Sequence, residues 1–365
     1  MIDRRLTFLK KRDYRMITAQ AFGKIDQDRI ITLYRLKNTH HIEIEILTYG
    51  GIVHSIKTPD RNGQIGEITI GYDTLEQYRN HNQYFGALIG RYANRIKDAG
   101  FVLDNKEYRI SKNHGNHHLH GGTSGFDQKI WNAGIINKNG LECLELRYHS
   151  LDGEEGFPGN LDTQVIYSLT DRDELIIDYR AVTDKKTHVN LTSHIYFNLT
   201  GDSQKSILDH ELTINAAAFT EIDQDCIPTG KMIKVEDTPF DFRQPCAIGK
   251  RIGHDHNQLI FGRGYDHNYV LNADGRPDIP AAGVYDPFSG RRMELFATQP
   301  GLQFYSGNTL DEKQAGKNKA PIHVRHGFCL EAQHFPDSPN RAGFPSTLLE
   351  PGKCYSHQLI LKFSA

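Results

Sequence analysis

The chain has 365 residues, a formal net charge of −2 and a mean hydropathy of −0.56. This balance offers no basic field for nucleic acid, and no apolar run reaches the roughly 18 residues that a membrane helix needs. Five widely spaced cysteines without a C-x-x-C pair argue against a disulfide framework or a zinc knuckle, and they favour a reducing, cytoplasmic compartment.

Residues 1–18 are predicted to form a basic leader, because the opening MIDRRLTFLKKRDYR lacks the apolar region of a signal peptide. Beyond the leader, no repeat, low-complexity tract or shift in composition marks a boundary. We therefore expect a single domain over residues 19–365.

Apolar and polar residues alternate with a period of two in several parts of this domain, which is the pattern of half-buried strands. The clearest cases are segments 42–46, 144–148, 175–181 and 359–363. Turn signals such as Asn139-Gly140 recur between such segments.

The helical period is weak, and one short helix is predicted over residues 73–78, with Asp73 or Thr74 as its N-cap. Many strands with few short helices indicate an all-β protein built as a large antiparallel β-sandwich.

The segment Leu191–Leu199 predicts a strand with His194, Tyr196 and Asn198 on one face. An imidazole, a phenol and an amide side by side fit neither an apolar core nor an ordinary surface. The mixture suits a small polyhydroxylated ligand. The alternative is an interior histidine that is hydrogen-bonded to a neighbour.

Two loop-like segments add further candidates. In GRYANRI, Asn94 adjoins Arg95, and Arg91 lies four residues before Arg95. A guanidinium suits vicinal hydroxyls; the alternative, which this segment by itself favours, is an arginine paired with a carboxylate that ties down a turn. Four histidines lie within His114–His120, but the run has no neighbouring carboxylate or cysteine set, so we predict no metal there. A loop imidazole of this run suits a ligand hydroxyl; the alternative is that several of these histidines only lie at the loop surface.

Three later strands carry polar residues among apolar ones. Asp266 in GYDHNY suits a sugar hydroxyl or a turn, and Gln303 shares a face with Tyr305. Glu331 interrupts the apolar run GFCLEAQ, where burial costs several kcal/mol without a partner. Burial also raises the pKa of a carboxyl group and makes it a usable base near neutrality; the alternative is a structural ion pair.

These segments together resemble the aldose 1-epimerases, the galactose mutarotases. The matching segments run from about residue 31 to 361 and are PDRNG (59–63), GYDTLEQY (71–78), GRYANRI (90–96), HLHGG (118–122), the stretch from GFD to the tryptophan (125–131), EGFPGNL (155–161), SHIYFNLTG (193–201), GYDHNY (264–269), QPGLQFYSGN (299–308) and GFCLEAQHFPD (327–337). The resemblance implies a β-sandwich of the galactose mutarotase type, a supersandwich, with a sugar held on one concave sheet.

The resemblance also implies the site. It assigns the general acid to His194 and the base to Glu331, and it assigns substrate binding to Asn94, Arg95, His120, Tyr196, Asp266 and Gln303. We expect His194 to be protonated at rest, with Asp266 as the carboxylate that holds it charged. No metal or organic cofactor is required.

The implied partner is a free monosaccharide such as galactose or glucose, bound by a monomer or homodimer. A hexose-6-phosphate 1-epimerase would need added cations around the site, and a non-catalytic sugar-binding module would be expected to lack His194 or Glu331. A glycoside hydrolase could use Asp266 and Glu331 as its carboxylate pair, but that assignment gives His194 no role.

Overall fold

The computed structural model of the chain describes residues 16–80, 83–272, 275–311 and 315–365. Most of the predicted leader lies outside the described residues and stays a prediction. Its last two residues, Ile17 and Thr18, already belong to the first strand.

The strands and helices follow one another along the described chain. The first third contains β1 (Ile17–Lys24), β2 (Ile30–Lys37), β3 (Glu43–Leu47), β4 (Val53–Pro59), β5 (Ile65–Glu67), α1 (Leu75–Asn80), β6 (Leu88–Ile89), β7 (Arg95–Ile96), β8 (Gly100–Leu103), β9 (Lys106–Arg109) and β10 (His118–Leu119). The middle contains β11 (Asn132–Lys138), β12 (Leu141–Ser150), β13 (Leu161–Leu169), β14 (Glu174–Thr183), β15 (Thr187–His188), β16 (Thr192–Ser193), β17 (Tyr196–Phe197), β18 (Glu211–Ile214), β19 (Ala216–Ile222) and β20 (Pro228–Lys234). The last part contains β21 (Cys246–Ala247), α2 (Asn257–Gly262), β22 (Asp266–Leu271), β23 (Ala282–Tyr285), β24 (Arg292–Ala297), β25 (Gly301–Tyr305), β26 (Phe328–Gln333), β27 (Leu348–Leu349) and β28 (Tyr355–Ser364). Single turns of 3-10 helix lie at Lys97–Ala99, Phe126–Gln128, Glu154–Gly156, Ile248–Lys250, Lys317–Lys319 and Ser338–Asn340.

Three larger antiparallel sheets organise these strands. A nine-stranded sheet has the order β11-β12-β13-β14-β28-β24-β23-β18-β21, and a six-stranded sheet has the order β17-β26-β25-β22-β19-β20. A five-stranded sheet of β1 to β5 adds a third. The expectation of an all-β, antiparallel architecture is confirmed, and each of the four alternating segments lies in or beside a strand: β3, β12, β14 and β28.

The nine-stranded and six-stranded sheets contribute to one apolar core. Alternate residues of both sheets build it, among them Leu144, Ile177 and Leu359 from the first and Leu302, Phe304 and Leu330 from the second. Because successive side chains of a strand point to opposite faces, the intervening residues of β25 and β26 lie on the other face of the six-stranded sheet. Gln303 and Glu331 are among them, and this is where the polar site forms.

The predicted short helix is α1, and Thr74 is its cap. The Thr74 hydroxyl accepts from the Gln77 N–H at 3.3 Å, while the Thr74 N–H donates to the Gln77 side chain at 3.1 Å, as in a capping box. Asp73 instead accepts from the backbone N–H of Asn318. Among the described residues, no helix combines the length and the apolarity that spanning a bilayer requires.

Candidate active site

A cavity of about 280 Å³ lies on the face of the six-stranded sheet that is turned away from the core, and we call it the cleft. Its lining residues are Gln83, Tyr84, Asn94, Arg95, His114, Leu119, His120, His194, Tyr196, Asp266, Tyr305, Thr309 and Glu331. Seven of the eight site residues expected from the sequence are in this set. The eighth, Gln303, is in contact with Asp266.

His194 and Glu331 face each other in the cleft. The Nε2 atom of His194 lies 3.7 Å from Oε1 of Glu331, and the two side chains are 6% and 2% exposed. His194 lies between β16 and β17, where its N–H donates to the carbonyl of Ala87 and its carbonyl accepts from Gly86. Glu331 is held by β26. The imidazole therefore stands on a short connection, anchored by backbone bonds rather than by a continuous strand.

Burial acts in opposite directions on the pKa values of this pair. It lowers the pKa of His194 to about 4, and it raises the pKa of Glu331 well above its usual range. The negative charge of Asp266 also raises the pKa of Glu331, whereas Arg95 lowers it. Both groups therefore favour their neutral forms near pH 7, so the expectation that His194 is protonated at rest is wrong. A neutral imidazole with a carboxylic acid carries as many protons as an imidazolium with a carboxylate.

Asp266 forms a buried network with Arg95 and Gln303. Its Oδ2 lies 3.4 Å from a guanidinium nitrogen of Arg95, and its Oδ1 accepts from the Gln303 amide at 2.6 Å. Burial by itself lowers the pKa of Arg95, but the acidic groups around it, Asp266 first among them, together raise that pKa above its usual range. The expectation that Asp266 holds His194 charged is therefore wrong: Asp266 serves Arg95 and Gln303, and the carboxylate beside His194 is Glu331.

Asn94 orients Arg95 and His120 through hydrogen bonds of its side chain and its backbone. It adopts a left-handed conformation, with φ of 62°, which asparagine tolerates better than most residues. Its side-chain oxygen accepts from the Arg95 N–H at 2.9 Å, and its own N–H donates to Nδ1 of His120 at 3.2 Å. Since Nδ1 of His120 accepts a bond, the proton of the neutral ring lies on Nε2. His120 is thus a hydrogen-bond donor through Nε2.

His120, His194 and Glu331 bring three possible ligand atoms within 4.8 Å of one another. Two imidazoles and a carboxylate are a common ligand set for a divalent cation. However, a metal ligand needs an unprotonated nitrogen, and the bond from Asn94 leaves the proton of His120 on Nε2. This tautomer fits a donor to a sugar oxygen better than it fits a metal ligand.

Aromatic rings pack around His194. The ring centroid of Tyr84 is 4.8 Å from that of His120 and 5.8 Å from that of His194, and the Tyr196 ring is 4.9 Å from His194. Tyr84 and its neighbour Gln83 also line the cleft, although no sequence motif pointed to them. The one sequence feature that could have pointed to them is their position, six and seven residues before the GRYANRI segment, and this is a weak signal.

Several sequence candidates have structural roles instead. The amide of Asn198 donates to the carbonyls of Lys205 and His326 rather than facing the cleft. The guanidinium of Arg91 is buried and donates to Ser150 and to the carbonyls of Pro158, Gly159 and Leu151. Arg91 therefore ties down a connection, as the alternative for that segment predicted, but through a hydroxyl and backbone carbonyls rather than through the expected carboxylate.

The histidine run divides in the same way. His114 and His120 line the cleft. His118 is buried and contacts the carbonyl of Ser111 at 2.8 Å, and His117 is buried with Nε2 3.7 Å from Asp225. The alternative that several of these histidines lie at the loop surface is wrong, because His114 is exposed and the other three are buried.

Comparisons with known proteins identify the family of this chain. A sequence profile described as aldose 1-epimerase matches residues 32–362. Galactose mutarotase of Bos taurus is 42% identical over 323 residues, covering 88% of this chain and 91% of that protein, and aldose 1-epimerase of Escherichia coli K12 is 36% identical over 335 residues, covering 91% and 95%.

Solved structures give the same result. An aldose epimerase homologue from C. elegans superimposes with a TM-score of 0.83 at 27% identity, covering 91% of this chain and 98% of that one. A galactose 1-epimerase from Lactobacillus acidophilus reaches the same TM-score at 25% identity, covering 95% and 98%. The architecture is thus of the galactose mutarotase type, and the chain belongs to the aldose 1-epimerase family of isomerases.

Proposed function

We propose that this epimerase interconverts the α and β anomers of free aldohexoses, D-galactose and D-glucose among them, with His194 as general acid and Glu331 as general base. The observation that carries the proposal is the pairing of these two groups, 3.7 Å apart and almost fully buried. Its relatives, galactose mutarotase of Bos taurus and aldose 1-epimerase of Escherichia coli, support the substrate class.

The proposed chemistry requires two coordinated proton transfers. Nε2–H of His194 gives its proton to the ring oxygen, the bond between that oxygen and C1 breaks, and Glu331 takes the proton of the C1 hydroxyl. The product is an open-chain aldehyde. After rotation about C1–C2, the same transfers run in reverse and close the ring on the other face of the carbonyl, so each group acts as acid and as base.

The protonation states fit this exchange. The closed ring is bound with an imidazolium and a carboxylate, and the open chain leaves a neutral imidazole and a carboxylic acid. The total number of protons on the pair is the same in both states, so one proton is relayed through the sugar and none is taken from solvent. The pKa directions of His194 and Glu331 favour the neutral pair, which is the pair that accompanies the open chain.

The remaining groups are proposed to hold the sugar hydroxyls. Arg95 and the side-chain amide of Asn94 supply donors, Asp266 supplies an acceptor, and Nε2–H of His120 supplies a donor beside the reacting pair. Gln303 acts through Asp266, to which it donates. We assign Tyr196 to the wall beside His194 on the basis of their ring contact.

Charge in the cleft favours free sugars over sugar phosphates. Arg95 is the one lysine or arginine among the described residues that line the cleft, and Asp266 already balances its charge. A phosphate carries about two negative charges and is usually met by several cations. The presence of both His194 and Glu331 also favours an enzyme over a non-catalytic binding module.

The proposal also includes a cytoplasmic location, a role in hexose metabolism and a monomeric or homodimeric state. All five cysteines lie in the described residues and have free thiols, which suits a reducing compartment. Gel filtration tests the oligomeric state.

The experiment is polarimetry of freshly dissolved α-D-galactose, α-D-glucose and α-D-glucose 6-phosphate. We expect the wild type to accelerate the free sugars well beyond the buffer rate. Glu331→Gln is expected to lower kcat by about 100-fold or more, since general base catalysis contributes about 10²- to 10⁴-fold, while KM stays within about threefold.

Glu45→Gln is the matched control, because Glu45 is a buried glutamate outside the cleft that pairs with Arg35. Rotation that decays no faster than in buffer with wild type would overturn the proposed function. Near-normal turnover in Glu331→Gln would overturn the assignment of the base. A strong preference for the phosphorylated sugar would favour the hexose-phosphate epimerase instead.

A further inference from the structure

The thiol of Cys329 lies behind the imidazole of His194, on the side away from Glu331. Its Sγ atom is 3.5 Å from Nδ1 of His194, whereas Nε2 is the atom near Glu331. Cys329 is fully buried on β26, opposite Tyr196 of β17 in the sheet register and two residues before Glu331. One strand thus carries both the proposed base and a group that contacts the proposed acid.

The proposed reaction determines which nitrogen of His194 must keep its proton. Nε2 loses a proton when the ring opens and regains it when the ring closes. If Nδ1 carried no proton, loss of the Nε2 proton would leave an imidazolate anion. Burial makes such an unpaired anion too costly. Nδ1 must therefore stay protonated through the cycle, and a partner that accepts from Nδ1–H is needed.

His120 shows the opposite arrangement in the same cleft. There a backbone N–H of Asn94 donates to Nδ1, which puts the proton on Nε2. At His194, the atom opposite Nδ1 is a sulfur that can accept as well as donate. A donating thiol would leave Nε2–H on a neutral ring and prevent the return of the proton. An accepting thiol keeps Nδ1–H and leaves the Nε2 lone pair facing Glu331.

The thiol also supplies this contact without an additional charge. Burial raises the pKa of Cys329 well above its usual range, so the group stays neutral. A charged acceptor at this position would hold the imidazolium and slow the release of its proton. A weak neutral acceptor orients the ring and leaves the proton on Nε2 free to move.

We propose that Cys329 is a positioning residue that accepts from Nδ1–H of His194 and so reserves Nε2 for proton exchange with the sugar. This inference rests on the proposed function, because the requirement for Nδ1–H follows from the reaction. A serine hydroxyl can replace the thiol as an acceptor, whereas a methyl group cannot.

The test compares Cys329→Ala and Cys329→Ser with wild type, and Cys143→Ala is the matched control. Cys143 is also a fully buried thiol, but it contacts Ser168 in the nine-stranded sheet. For Cys329→Ala we expect kcat to fall about 3- to 10-fold, as loss of one weak hydrogen bond predicts, with KM within twofold. Cys329→Ser is expected to stay within about twofold of wild type, and so is Cys143→Ala.

A spectroscopic measurement separates positioning from packing. The protein is labelled with ¹⁵N-histidine, and the His194 ring signals are assigned by their absence in His194→Asn. In the wild type we expect the neutral ring to carry its proton on Nδ1, and in Cys329→Ala we expect a mixture of both tautomers. This wild-type measurement stands even where Cys329→Ala fails to fold.

The outcomes separate the two proposals. A wild type without mutarotase activity overturns the proposed function. With an active wild type, three results overturn the inference on Cys329: a His194 ring with its proton on Nε2, a kcat of Cys329→Ala equal to that of Cys143→Ala, or a serine variant as impaired as the alanine variant.

Discussion

The buried contact between Arg95 and Asp266 gives a prediction whose size follows from the structure. Asp266→Asn keeps the shape of the side chain and the oxygen that accepts from Gln303, but it removes the charge opposite the guanidinium. The two side chains are 10% and 15% exposed and 3.4 Å apart. At an effective dielectric constant of about 20, two unit charges at this distance attract by about 5 kcal/mol before desolvation is counted.

Removing one partner of a buried pair typically destabilises a protein by about 3–5 kcal/mol, because the remaining charge stays buried without compensation. The residual exposure of this pair puts our expectation at the lower end, about 3 kcal/mol of the free energy of unfolding. Urea unfolding followed by the fluorescence of the single tryptophan, Trp131, measures it; this indole is buried.

A double variant separates structure from binding. In Asp266→Asn with Arg95→Met both charges are gone, so the free energy of unfolding should recover part of the loss. The KM for galactose should stay raised, because the sugar has still lost two of its proposed partners. Asp241→Asn is the control: its contact with Arg243 is closer, at 2.7 Å, but the arginine is 41% exposed, and an exposed pair contributes below about 1 kcal/mol.

Two results would refute this reasoning. One is a free energy of unfolding for Asp266→Asn within about 1 kcal/mol of the wild type. The other is a double variant that is no more stable than Asp266→Asn alone.

Three further predictions concern pH and a buried arginine. First, the pH dependence of kcat/KM, measured by polarimetry, should be bell-shaped, with its acid limb near the His194 pKa of about 4. The activity should fall there because a second proton on the His194–Glu331 pair blocks the proton relay; an acid limb near pH 6.5 would contradict this. Second, burial lowers the pKa of His267 and of His357 to about 3. Since the unfolded chain takes up these protons near pH 6.5 and the folded chain does not, the free energy of unfolding should fall as the pH drops from 6.5 toward 3, on the order of 1 kcal/mol per pH unit for each histidine; urea unfolding with no pH dependence in this range would contradict it. Third, Arg91→Met should lower the free energy of unfolding by about 3 kcal/mol, because the buried carbonyls that accept from Arg91 lose their donor. The value of kcat/KM per folded molecule should not change, and a selective loss of kcat/KM would give Arg91 a role in the cleft.

The sequence by itself determined the architecture and most of the candidate site. Period-two alternation predicted strands such as β14 and β28 because burial of one face of a sheet acts on every second residue. The ordered segments that resemble the aldose 1-epimerases placed His194 and Glu331 in one site, and the cleft contains both.

The tertiary structure alone decided which groups meet. Arg95 and Asp266 are 171 positions apart along the chain, and no local pattern assigns that carboxylate to the arginine rather than to His194. The strand pattern likewise put Asn198 beside His194, whereas its amide donates to the carbonyl of Lys205, seven residues on, and to that of His326, 128 residues on. Hydrogen-bond partners and pKa values depend on distances of a few ångströms between segments remote in sequence. Alternation along a strand fixes which face a side chain takes, and only the packing of strands from different parts of the chain fixes its partner.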